Sequence, residues 1–188
     1  MNQFTPQAHQ DIFAKHASRI YSYIEIGGSH PIKRNNTLLL ENEGWHGFSI
    51  ELNEKFKKSW AKSRKNKIYF DNALTFDYAS AVAENNLSMR VGYLSCDIEP
   101  PCNTFAALQR TLEQGINFDC ITFEHDEYQS AGDYNKLATE YLESKGYKVA
   151  VYGVYFKNHH FETWFVKNDI EFEKISFDEW KEKMGITE

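Results

Sequence analysis

Five short apolar runs in this sequence end at acids or at a glycine turn. They lead to Glu25-Ile26-Gly27-Gly28-Ser29, Glu51, Asp71-Asn72, Asp97-Ile98-Glu99 and Glu124-His125-Asp126. Gly27-Gly28 lacks two successive Cβ atoms, so backbone there can approach a ligand closely, although any tight strand-to-helix turn has the same need. Glu51 stands 23 residues after Gly28. A carboxylate at that spacing can accept two hydrogen bonds from a ribose diol. Turn and acid together point to a nucleoside-containing cofactor. A full G-x-G-x-x-G is missing and no arginine for a 2′-phosphate follows Glu51, which makes a dinucleotide the lesser reading. Asp97, Glu99 and His125 are the acid–base candidates, with His125 first because its ordinary pKa lies near neutrality. A structural hydrogen bond is the competing role for His125. Asp97, Glu99, His125 and Asp126 could also make an oxygen-rich cation site, but the reading assigns no metal ligand.

The segments around these residues alternate between two periodicities. Residues 21–26, 48–51, 67–72, 91–97 and 118–124 read as strands, and 147–156 with 162–167 as an antiparallel pair around 157–160. Helical patterns cover 6–18, 36–43, 53–63, 77–85, 134–145 and 177–184. Another helix is expected to be capped by Asn103, with Phe105, Leu108 and Leu112 on one face; Leu137, Tyr141 and Leu142 are expected to point inward. Strand–helix alternation predicts a Rossmann-like, doubly wound α/β fold. Its mostly parallel sheet has about seven strands and ends in a C-terminal antiparallel hairpin. Ligands on such sheets sit beyond the carboxyl ends of the strands, where all five of these sites fall.

With 188 residues the chain fits one domain: an N-terminal helix over 1–20, a core over 21–167 and a C-terminal extension over 168–188. The net charge of −6 argues against sequence-independent nucleic-acid binding, so the expected partner is a small-molecule substrate and no nucleic acid. Against that balance, Lys55, Lys57, Lys58, Lys62, Arg64, Lys65 and Lys67 crowd one segment, read as a solvated helix face with Phe56 and Trp60 buried beneath it. Cys96, Cys102 and Cys120 lack the spacing of a zinc site or a disulfide framework. No run approaches the length of a membrane span, and the opening residues are too polar for a signal peptide; the expected location is the cytoplasm.

Several stretches, in order, resemble FkbM-like methyltransferases. Tyr23-Ile24-Glu25-Ile26-Gly27-Gly28 looks like the family's acid-x-Gly loop, and Asn36-Thr37-Leu38-Leu39-Leu40-Glu41 like its Asn-Thr helix start. Gly44-Trp45-His46-Gly47-Phe48-Ser49-Ile50-Glu51 is similar to its Gly-Trp-x-Gly strand, and Asn72-Ala73-Leu74 to the end of its third strand. Leu94-Ser95-Cys96-Asp97-Ile98-Glu99 resembles its Leu-x-x-Asp-Ile-Glu-Gly motif. The chain departs from the family at His30-Pro31 and at Pro100-Pro101, where a further glycine and a carboxylate are expected. The resemblance implies an S-adenosylmethionine-dependent methyltransferase acting on hydroxyls of sugars or secondary-metabolite-like small molecules. It places the cofactor over Glu25, Gly27, Gly28 and Ser29, with ribose on Glu51, adenine near Asn72 and Ala73, and the methionyl part near Asp97. The two departures motivate an alternative, a binding or interaction protein on the same fold without turnover.

Overall fold

The computed structural model describes residues 6–128 and 132–186. Strands β1 (Ser22–Ile26), β2 (His46–Glu51), β3 (Lys67–Phe70), β4 (Arg90–Cys96) and β5 (Asn117–Glu124) run parallel. β1 is buried throughout and β4 at every residue but Arg90, as strands covered on both faces must be. A hairpin of β6 (Tyr147–Phe156) and β7 (His159–Lys167) lies antiparallel beyond β5, and β8 (Ile175–Ser176) pairs with β6 at the edge. The order is β3-β2-β1-β4-β5-β7-β6-β8, a Rossmann-like sheet of eight strands rather than about seven. The extra strand, β8, has only two residues, too few for any periodicity to register.

Seven α-helices among the described residues cover the sheet: α1 (Gln10–Ala17), α2 (Leu38–Asn42), α3 (Lys57–Ser63), α4 (Tyr78–Glu84), α5 (Pro101–Glu113), α6 (Tyr134–Ser144) and α7 (Phe177–Met184). Alternation along the strands divides the core in two. Tyr23, Tyr93, Cys120 and Trp164 pack with Phe13 of α1, Leu40 of α2 and Trp180 of α7. Ile24, Leu94, Ile121 and Phe165 pack on the other face with Val82, Leu108 and Leu142 of α4, α5 and α6.

Local chemistry moves several expected boundaries. α1 begins at Gln10 because His9 sits in the left-handed region at φ 63°, and residues 1–5 of the expected N-terminal segment lie outside the described residues. Asn103 does not cap α5. The helix already starts at Pro101, a residue that loses nothing at a position whose N–H has no helical partner, and the Asn103 amide donates to the Glu99 carbonyl at 3.3 Å. Leu137 is exposed, whereas Leu142 is buried. Arg64 is not part of a solvated face: it is 8% exposed and points into the protein. No helix among the described residues is long and apolar enough to cross a membrane.

Candidate active site

Strand register sets four different groups side by side. Ile26 pairs with Ile50 on one flank and with Cys96 on the other, and Cys96 pairs with Phe123. One residue further along lie Gly27, Glu51, Asp97 and Glu124, in a row at the carboxyl edge of the sheet. The crossovers after β1 and β4 leave to opposite faces, and a crevice opens between such strands. It encloses about 550 Å³, within the ordinary range for a small-molecule site, and is lined by Glu25, Gly27, Gly28, Ser29, Glu51, Asn72, Ala73, Asp97 and Glu99.

The glycine turn is fixed by packing. Gly27 has φ +91°, and a Cβ on it would lie 1.7 Å from the Asp97 carbonyl oxygen. A Cβ on Gly28 would lie 2.9 Å from the Trp60 ring. The Gly27 and Gly28 amides both donate to the Ile50 carbonyl at 3.0 Å, so they are not free for a ligand. The Ser29 amide donates to Glu51 Oε2 at 2.7 Å, and the Asn53 amide to Glu51 Oε1 at 2.7 Å. Two charge-assisted bonds thus hold this carboxylate in one orientation beside the turn.

The loop after the turn is braced from beneath. Trp60 Nε1 donates to the Ser29 carbonyl at 2.9 Å, and Arg64 Nη1 to the Pro31 carbonyl at 3.3 Å and to Asn35 Oδ1 at 2.8 Å. His30 Nδ1 accepts the Ile32 and Lys33 amides, each at 3.1 Å. The loop's fixed path therefore does not depend on the N–H that Pro31 lacks. Glu25 is buried behind it and accepts from Ser49 Oγ at 2.6 Å; burial pushes its carboxyl up, against the pull of Arg64.

No family model matches the chain, and no curated protein matches it. Solved structures do. An rRNA methylase from Streptococcus thermophilus superimposes with a TM-score of 0.55 at 10% identity, over 84% of this chain and 93% of that one. Sp1610 of Streptococcus pneumoniae, a candidate tRNA (m1A22) methyltransferase solved with S-adenosyl-L-methionine, gives 0.55 at 10% identity over 91% and 75%. A candidate O-methyltransferase from Klebsiella pneumoniae gives 0.52 at 10% identity over 86% and 79%. The fold is that of S-adenosylmethionine-dependent methyltransferases. Its narrower assignment to the FkbM-like family rests on the sequence resemblance alone. The exclusion of nucleic acid drawn from net charge is corrected: this methyltransferase fold is shared with an rRNA methylase. Net charge is a sum over the whole surface and says nothing about how one edge of it is charged.

On this methyltransferase fold the residues expected at the cofactor all meet at the crevice, and so does Glu99. His125 does not line it. Its ring is 1% exposed and faces Thr163 Oγ1 of β7 at 3.4 Å, and burial lowers its pKa. Asp97 gains a partner the sequence did not reveal, Glu124. Burial and the Asp97 charge push the Glu124 carboxyl far above the carboxylate range, so Glu124 keeps its proton and donates it to Asp97. Burial, then the charges of Asp126 and Asp97, raise Glu99 as well. Pairing of β5 with β7 sets Glu162 opposite Glu124, where burial pushes its carboxyl up to about 8. Among the described residues no group of three or more His, Cys, Asp or Glu is arranged to hold a metal ion. Lys33, Arg34, Asn36, Leu52, Leu74 and Ile98 line the crevice too. Sequence reasoning named Asn36, Leu74 and Ile98 only within motifs and passed over Lys33, Arg34 and Leu52, because nothing in their spacing marks them; only the loop path brings them there.

Proposed function

We propose that this chain is an S-adenosylmethionine-dependent methyltransferase whose cofactor site is the crevice between β1 and β4. The observation that carries the reading is the oriented Glu51 carboxylate beside the Gly27-Gly28 turn at the crevice. Each Glu51 oxygen gives one lone pair to a backbone amide and keeps another, which suits a vicinal diol. Leu52, Leu74 and Ile98 offer apolar walls for a flat base, and Asn72 a polar edge. Asp97, whose carboxyl burial pushes up against the pull of the Glu124 hydrogen bond, suits a cationic amine. When bound, S-adenosylmethionine supplies a methyl group on a positively charged sulfur, open to in-line displacement. The chain's own task is then to orient the acceptor and take its proton.

Glu99 suits that proton transfer better than His125. It lines the crevice, and its raised pKa brings a carboxylate closer to neutrality, where a general base works best. His125 supports the sheet edge from behind. A small hydroxylated acceptor is the narrower reading, and only the resemblance favours it. Calorimetric titration tests the cofactor: S-adenosylmethionine should bind with a Kd no weaker than about 1 mM, roughly −4 kcal/mol, and NAD should not. Absence of binding by S-adenosylmethionine and its demethylated product at millimolar concentration would overturn the reading.

A further inference from the structure

Lysines from the end of β2 to the first residue of β3 divide into two groups. Glu54 takes Lys57 at 3.8 Å, and Glu84 takes Lys67 at 2.7 Å. Lys55, Lys58, Lys62 and Lys65 are exposed and have no ion pair among the described residues. Trp60 is turned into the protein at 1% exposure. A helical period of 3.6 residues then puts Lys58 and Lys62 on the outer face of α3, opposite Trp60. Lys55, in the turn before α3, and Lys65, just after it, are exposed on either side of that helix, so the four lysines span about 15 Å of chain.

This row adjoins the crevice. Leu52, at the head of the segment, lines it, and so do Lys33 and Arg34 of the braced loop. The His30 ring of that loop lies 6.1 Å from the ring of Phe56, joining the loop to the start of α3. A chain with net charge −6 thus gathers these cations along one edge that leads to its cleft.

We infer that the outer face of α3 and the adjoining loop form a track for a nucleic-acid strand, which the row of lysines holds by its phosphates with one nucleotide directed to the crevice. A row of separated cations fits a repeating polyanion and not a single small anion, whose ligands would converge on one point. A membrane surface fits less well, because Trp60, the large apolar residue of α3, faces inward and the outer face of the helix carries lysines. Identifying the strand as the methyl acceptor rests on the cofactor reading above; the binding itself does not.

Fluorescence anisotropy tests it with a labelled RNA hairpin of about 20 nucleotides, its DNA counterpart, and phosphatidylserine vesicles as a third arm. The full chain should bind at least one nucleic acid at about 0.05 M salt, with log K against log[salt] falling at a slope near −3 for about four phosphate contacts. The variant K55Q/K58Q/K62Q/K65Q should bind at least about tenfold more weakly with a slope near zero, and its calorimetric affinity for S-adenosylmethionine should be unchanged. A charge-matched control, K136Q/K145Q/K174Q/K183Q, should bind like the parent. Failure of both nucleic acids to bind, equal losses in the two variants, or binding to vesicles alone would overturn the track. If the lysine dependence holds while S-adenosylmethionine does not bind, the track stands and the cofactor reading falls.

Discussion

Gly27 and Gly44 both hold positive φ, +91° and +90°, yet their surroundings differ. Nothing lies within 4 Å of a Cβ at Gly44, so Gly44→Ala meets only the left-handed backbone penalty, about 1–2 kcal/mol. Gly27→Ala adds a collision with the Asp97 carbonyl, and we expect a loss of about 2–4 kcal/mol in chemical denaturation. Equal costs at the two sites would mean that the close approach of β1 and β4 is not needed. On the proposed cofactor reading, Glu51 is the residue on which affinity turns. Glu51→Ala should weaken S-adenosylmethionine binding by about 1.5–3 kcal/mol in calorimetry, through lost bonds to the ribose and a loosened Ser29 amide.

At the scale of elements, the loop between β1 and α2 owes its path to α3. Arg64 reaches Glu41 at 2.8 Å, Tyr23 Oη at 3.0 Å and Thr37 Oγ1 at 2.9 Å, besides Pro31 and Asn35. Its side chain is 0% exposed, so truncation leaves Glu41 and Glu25 as buried acids without their cation. Arg64→Met should cost about 3–5 kcal/mol by urea denaturation. Lysine should not restore it, because an ammonium cannot reproduce the planar fork that serves these partners at once. Full stability in Arg64→Lys would show that charge alone suffices.

For the molecule as a whole, buried acids set the pH dependence of stability. Burial pushes Glu162 up to about 8 and Asp11 up to about 6. Both bind protons more tightly folded than unfolded, so their contribution is present at low pH and is lost as pH rises, for Glu162 between 4.5 and about 8. Burial lowers His9 and His125, which works in reverse and destabilises the fold as pH falls below 6.5. Thermal unfolding should therefore show a maximum in mildly acidic buffer and a falling Tm toward pH 8. Glu162→Gln should flatten the alkaline limb, and an unchanged limb would remove Glu162 as its cause.

Sequence by itself determined the βαβ alternation, the antiparallel hairpin and the acids at strand ends, because those follow from short-range periodicity and turn chemistry. It marked Gly27, Glu51 and Asp97 through position alone. Their meeting in one crevice depended on register, which pairs Ile26 with both Ile50 and Cys96 and is set by contacts distant in sequence. Only the tertiary structure moved Arg64 from a solvated face to a buried brace, since a charge is read as exposed until its partners are known. The same holds for His125 and Glu124, neighbours in sequence. Alternation along a strand turns successive side chains to opposite sides, and folding decides which of them reaches Asp97.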